Sequence, residues 1–205
     1  MAYFPMFIDV KGTAVAIIGA GDVALRKVKV MLEYEAKITV IAIDVSDEIW
    51  KLEKEKKIIV RQKAYDEEDI KDAALVIAAT NDTTLNKRIS AYCKEHRIPV
   101  NVVDVQEECS FIFPAYVKQG PITVGVTSSG ASPVISQKIK KMVMNTLPDY
   151  YGELADSLGK VREEVQKKID TEKERKQVFK KLIAIGEERK GRISYDDLEE
   201  VLKKK

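Results

Sequence analysis

The stretch AIIGAGDVA, Ala16 to Ala24, restricts the fold of this 205-residue chain more than any other. An apolar run ends there, a G-x-G-x-x-A loop follows, and an amphipathic segment from Asp22 to Tyr34 begins at once. Gly19 permits a tight turn, Gly21 leaves space for an anion to approach the backbone, and Ala24 lets a helix lie close on a sheet. The unpaired N–H groups of the first helical turn, together with the helix dipole, favour a phosphate over the loop. A second apolar run, Ile38 to Ala42, completes a strand-helix-strand unit.

The rhythm continues with strand-like runs at Ile58–Val60 and Ala74–Ala79, a helical pattern from Thr84 to His96, and the apolar run Pro99–Val103. Strands alternating with helices imply an α/β protein with a Rossmann-like, doubly wound parallel sheet. After Asp104 the pattern changes. Phe111–Val117 and Ile122–Val126 flank a Lys-Gln-Gly-Pro turn and read as an antiparallel hairpin. Ser132-Pro133 reads as an N-cap followed by proline at the first helical position, with Val134, Ile135, Ile139, Met142 and Val143 as the apolar face up to Leu147-Pro148. Beyond Asp149, Leu154, Leu158, Val161, Val165 and Ile169 recur at helical spacing, Phe179, Leu182 and Ile183 mark a further helix, and Ser194 with Asp197 forms a capping box before Leu198, Val201 and Leu202. The expected divisions are 1–113, a nucleotide-binding domain; 114–147, a small α+β lobe; and 148–205, a C-terminal helical region.

Composition excludes several classes. With 45% hydrophobic and 33% charged residues and a formal net charge of +2, the chain reads as soluble and globular, with no call for a nucleic-acid partner. The Lys203-Lys204-Lys205 end reads as a solvated terminus. Cys93 and Cys109 have no CxxC spacing, so neither a disulfide framework nor a cysteine zinc site is expected, and a reducing cytoplasm suits them. No export leader and no uncharged apolar run of membrane length is visible, so no membrane span is expected. His96, the one histidine, lies one helical turn from Cys93. That pair reads as a surface histidine beside a buried cysteine, and no metal ligand is assigned.

Ligands of open α/β sheets sit beyond the carboxyl ends of the strands. Asp44, 25 positions after Gly19, ends the second strand and either holds ribose hydroxyls or caps the next segment. A carboxylate there repels a 2′-phosphate, which favours NAD over NADP. Thr80-Asn81-Asp82 follows the fourth strand and either meets the cofactor or caps the next helix, the capping role falling most naturally to Asp82. Asp104 closes Asn101-Val102-Val103; partial burial there would raise its pKa and suit it to proton transfer, and a turn residue fits equally well.

Read together and in order, FPMFIDVKG, IIGAGDVALRK, AATND, NVVD, FIFPA and VTSSGASPVISQKIK resemble the precorrin-2 dehydrogenase family, which includes stand-alone enzymes and the N-terminal portion of siroheme synthases. The likeness is dense over residues 3–146 and loose over the helical tail. It implies NAD-dependent oxidation of precorrin-2 to sirohydrochlorin, in a homodimer for which 114–147 is the dimerisation lobe. It places the cofactor at Asp22, Val23, Ile43 and Asp44, gives Asp104 the catalytic role, and sets Ser128 at the substrate. The substrate carries many carboxylates, for which Lys118, Lys138 and Lys141 are the candidate cations, each also readable as an ordinary solvated lysine. Some relatives also insert iron into sirohydrochlorin, so a bifunctional dehydrogenase/ferrochelatase is one alternative. An NAD-sensing regulatory module without chemistry is another. Replacing Asp104 separates the last from an enzyme, since only an enzyme loses turnover while keeping NAD.

Overall fold

The computed structural model describes residues 3–203, so Lys204 and Lys205 of the expected solvated end lie outside the described residues. The chain divides between Phe113 and Pro114 into two compact units.

In the first unit, β1 (Ala14–Ile18), α1 (Asp22–Glu33), β2 (Lys37–Ala42), α2 (Asp47–Lys54), β3 (Ile59–Gln62), β4 (Leu75–Ala78), α3 (Thr83–Glu95) and β5 (Val100–Val102) follow in order. The five strands are parallel, in the order β3-β2-β1-β4-β5. Alternate residues of β1 feed opposite faces of the sheet. Val15 and Ile17 pack with Ala24, Val28 and Met31 of α1, while Ala16 and Ile18 pack with Ile89 and Cys93 of α3. Burial on both faces explains why these strands read as continuous apolar runs instead of alternating ones.

Register positions the functional loops. Ile18 pairs with Ile41 on one side and Ala78 on the other, so β1, β2 and β4 end level and their following loops lie side by side. The strand order reverses at the β1/β4 boundary, which opens a crevice beyond the carboxyl ends of the strands.

Two details depart from the sequence reading. α2 has no counterpart in it: with eight residues and one buried side chain, Ile49, it is too short for its period to stand out. The first hairpin strand is shorter than expected, because Phe111 and Phe113 turn back onto the α1 face of the sheet and the Phe111 carbonyl accepts from Asn101 Nδ2 at 3.1 Å. Pro114, which has no N–H to give a ladder, precedes β6 (Ala115–Gln119).

The second unit holds β6, antiparallel to β7 (Ile122–Val126), then α4 (Pro133–Thr146), α5 (Tyr151–Lys168), α6 (Glu172–Arg189) and α7 (Tyr195–Lys203). Ser132 caps α4, its Oγ accepting from Ile135 N at 3.3 Å. The expected apolar face of α4 is largely open, with Val134, Ile135, Ile139 and Met142 exposed and Val143 half-buried. Leu154, Val161, Val165, Leu182, Leu198 and Val201 form the core among α5, α6 and α7. The capping box is present: Ser194 N donates to Asp197 Oδ2 at 2.7 Å and Asp197 N to Ser194 Oγ at 3.3 Å. Arg189 grips the same carboxylate with two contacts, at 2.8 and 2.9 Å.

The hairpin is joined to the tail by two glycines in backbone contact. Gly120 turns the hairpin at φ 55°, and a Cβ on it would meet Gly152 Cα of α5 at 3.1 Å. A Cβ on Gly152 would in turn meet Gln119 carbon and oxygen at 3.0 Å, and Gln119 Nε2 donates to Pro148 O at 2.9 Å.

Candidate functional site

A cavity of about 690 Å³ opens over the level strand ends of the first unit. Its floor is the glycine loop. Gly19 has φ 106°, and a Cβ there would lie 2.3 Å from Ala79 O, so β1 and β4 approach closely only because this residue has no side chain. Gly21 differs in kind: a Cβ on it meets nothing within 4 Å, which leaves the backbone open to the cavity. Gly21 is also the N-cap of α1 and offers no side-chain cap, so the first N–H groups of the helix remain for an outside acceptor.

The second wall follows β2. Ile43 is 65% exposed and Asp44 is exposed beside it, with no hydrogen bond or ion pair to the protein among the described residues. The alternative role for Asp44, capping the next segment, is not taken up, since Ser46 is the N-cap residue of α2. Ser46 N donates to Ala20 O at 3.3 Å and ties this wall to the glycine loop. Ser46 lines the cavity, while its Oγ is buried and has no partner among the described residues. Lys63, at the end of β3, also lines it, with its ammonium held 3.0 Å from Asp69 Oδ2. Arg61 Nη1 sits 3.1 Å from the other oxygen of Asp69. Tyr65 completes this side with a buried, unpartnered hydroxyl, and burial pushes its phenol well above the usual range.

The third wall follows β4. Thr80 is fixed by the buried Asn86, whose Oδ1 accepts from Thr80 Oγ1 at 2.7 Å and whose Nδ2 donates to Thr80 O at 3.0 Å. Asn81 is exposed on the cavity wall, while Asp82 caps α3 through Thr84 N and Leu85 N at 2.9 and 3.0 Å.

The expected residues Gly19, Gly21, Ile43, Asp44, Thr80 and Asn81 therefore meet at one cavity. Asp22 and Val23 lie in the first turn of α1, outside its lining. Ser46, Lys63 and Tyr65 were not legible as site residues, because no motif marks them, and Lys63 and Tyr65 come to the cavity only through the register of β3 on β2.

Asp104 follows β5 at φ 61° and is exposed. This corrects the expectation of partial burial: the strand stops at Val102, and the left-handed turn carries Asp104 off the apolar run into solvent. In the second unit, Ser128 Oγ accepts from Ser132 N at 2.9 Å, just ahead of α4. Lys118 lies on β6, and Lys138 and Lys141 are exposed, one turn apart on α4.

Among the described residues no group of histidine, cysteine and carboxylate side chains is arranged to hold a metal ion. Cys93 is fully buried, which pushes its thiol up to about 12, and His96 is exposed and stacked on Tyr92 with ring centroids 4.0 Å apart. No helix among the described residues is long and apolar enough to cross a membrane.

The open Gly21 backbone and the uncapped α1 terminus fit the pyrophosphate of a dinucleotide. A family model described as "Putative NAD(P)-binding" matches residues 6–115. Siroheme synthases are similar over a longer span. That of Ruthia magnifica subsp. Calyptogena magnifica is 36% identical over 181 residues, covering 88% of this chain and 38% of that protein. That of Psychrobacter sp. (strain PRwf-1) is 38% identical over 181 residues, covering 88% and 37%. The chain thus spans little more than a third of the length of the curated relatives it matches. One solved structure, "SirC, precorrin-2 dehydrogenase", superimposes with a TM-score of 0.79 at 25% identity, covering 98% of both chains.

Proposed function

The chain belongs to the NAD(P)-binding family whose model spans residues 6–115, and from that premise we propose that it oxidises precorrin-2 to sirohydrochlorin, with NAD as cofactor. The observation that carries the reading is the likeness to a precorrin-2 dehydrogenase over 98% of both chains, because the nucleotide cavity alone specifies no substrate.

The reaction removes two hydrogens from a carbon–carbon unit of the macrocycle, one as hydride and one as a proton. Bound NAD supplies the hydride acceptor at its nicotinamide ring. The protein's residues do the rest. Gly21 and the α1 terminus hold the pyrophosphate, with Asp22 and Val23 following in the first turn. Asp44 accepts from ribose hydroxyls, and Ile43 packs on the adenosine. Thr80 and Asn81 orient the cofactor from the third wall. Asp104, exposed and ionisable beyond β5, takes the proton. Ser128 and the cations Lys118, Lys138 and Lys141 bind polar groups of the substrate.

Two features support NAD over NADP. Asp44, a carboxylate without a partner among the described residues, lines the cavity after β2 and would repel a 2′-phosphate bound there, and Lys63 on the same cavity already has its anion in Asp69. The open apolar face of α4 supports a homodimer. The two free cysteines suit a cytoplasmic enzyme.

The deciding experiment is an anaerobic assay with precorrin-2 in which NADH and sirohydrochlorin are followed together, for the wild type and for Asp104→Asn. Equal yields of the two products are expected for the wild type. Asp104→Asn should bind NADH normally and turn over about 10²–10⁴-fold more slowly. NADH binding with no turnover by the wild type would point to a sensing module instead. Addition of Fe²⁺ tests the bifunctional alternative, which requires metal insertion faster than in the protein-free control.

A further inference from the structure

Lys27 combines partial burial with the lack of an anion among the described residues. It lies on α1, half-buried, with its ammonium 3.8 Å from the centroid of the Phe113 ring. Among the described residues no carboxylate comes within ion-pair distance of it, whereas Lys11, Lys57, Lys63, Lys71, Lys94 and Lys168 all have one. Removing an ammonium from water without an anion is unfavourable, and an aromatic face recovers only part of the loss. Cys109 and Asp104, both of the first unit, act on it only electrostatically, and neither pairs with it among the described residues.

We infer that Lys27 receives a carboxylate of the tetrapyrrole substrate. The inference rests on the dehydrogenase reading above and adds to it a cation of the first unit, on the same unit as the proposed base. The substrate's acetate and propionate arms are the matching chemistry: a flexible carboxylate reaches a fixed ammonium and restores the solvation that burial removes. Burial and the neighbouring Arg26 lower the Lys27 pKa, with Cys109 and Asp104 acting in the opposite direction, as expected of a cation awaiting an anion. The competing account is a lysine that merely lays its stem over Phe113 and contributes nothing to binding.

The test uses the full chain and sirohydrochlorin, which carries the same carboxylate arms as the substrate. Anaerobic titration by absorbance gives its Kd for the wild type, Lys27→Met, Lys27→Gln and Lys27→Arg, with NADH titration and thermal melting in parallel. Expected are a Kd about 10-fold weaker for Lys27→Met and Lys27→Gln, near wild-type binding for Lys27→Arg, and unchanged NADH affinity and melting. The wild-type Kd should also weaken more steeply with added NaCl than that of Lys27→Met. Binding of sirohydrochlorin by Lys27→Met within twofold of the wild type overturns the inference, even if kcat falls, since Lys27 would then only position Asp104. A wild type that binds no sirohydrochlorin and oxidises no precorrin-2 overturns the dehydrogenase reading, and this inference with it.

Discussion

Gly19 combines two requirements in a single residue, a φ of 106° and a Cβ position only 2.3 Å from Ala79 O. Gly19→Ala should therefore cost about 1–3 kcal/mol for the backbone alone, with further loss as β4 is pushed away. Calorimetry should report the lower melting temperature and a fluorescence titration the lost NADH binding. Gly21→Ala is the informative contrast. Space is free around it, so melting should hold while NADH affinity falls, because the added methyl occupies the approach of the pyrophosphate. At the other end of the cavity, Asp44→Asn with Asp69→Asn removes one repelling carboxylate and releases Lys63. The ratio of kcat/KM for NADP to that for NAD should rise by at least about tenfold in the double variant, and NADPH titration should show the same trend. These residues differ in how far the sequence exposes them. Gly19 and Gly21 sit in a motif whose spacing is local, and so does Asp44 at a strand end. Lys63 and Tyr65 reach the cavity because β2 pairs with β3 in a particular register, which no local pattern encodes, and Ser46 stands in a loop that no motif marks.

Among the elements, the strands of the first unit are legible because both faces are buried, which writes each as an unbroken apolar run between polar loops. α2 is illegible for the opposite reason, burying a single side chain. The exposure of Asp104 depends on a one-residue left-handed turn after β5, a conformation that the apolar run before it does not announce. The α6–α7 junction was readable, since Ser194 and Asp197 carry the capping spacing, yet Arg189 as the second partner was not. Burial favours protonation of Asp197, but the bonds from Arg189 and Ser194 prevail and hold its pKa below the usual carboxylate range. A carboxylate with a depressed folded pKa contributes stability that is fully present above its unfolded pKa of about 4 and is lost as pH falls through the folded value. Asp197→Ala should lower the unfolding free energy by about 1–3 kcal/mol at pH 7. The gap between wild type and variant should narrow below pH 4, as measured by urea titration across pH.

For the whole molecule, the open face of α4 has the larger consequence. Val134, Ile135, Ile139 and Met142 are 77%, 54%, 41% and 58% exposed, an apolar stripe that a dimer would cover. Ile139→Glu should shift the protein toward monomer in sedimentation equilibrium, and its activity per chain should fall with dilution at concentrations where the wild type holds steady. The hairpin and the tail meet through Gly120 and Gly152, at a distance tight for a side chain on either. Any exchange of the tail therefore carries a condition along with it. A shuffled gene that brings in a foreign helix at 151–168 without a glycine at 152 would place its first methyl against the hairpin turn, which would have to give way by a few tenths of an ångström. A transplanted tail is thus bound to the turn at residue 120, though 31 codons lie between the two glycines.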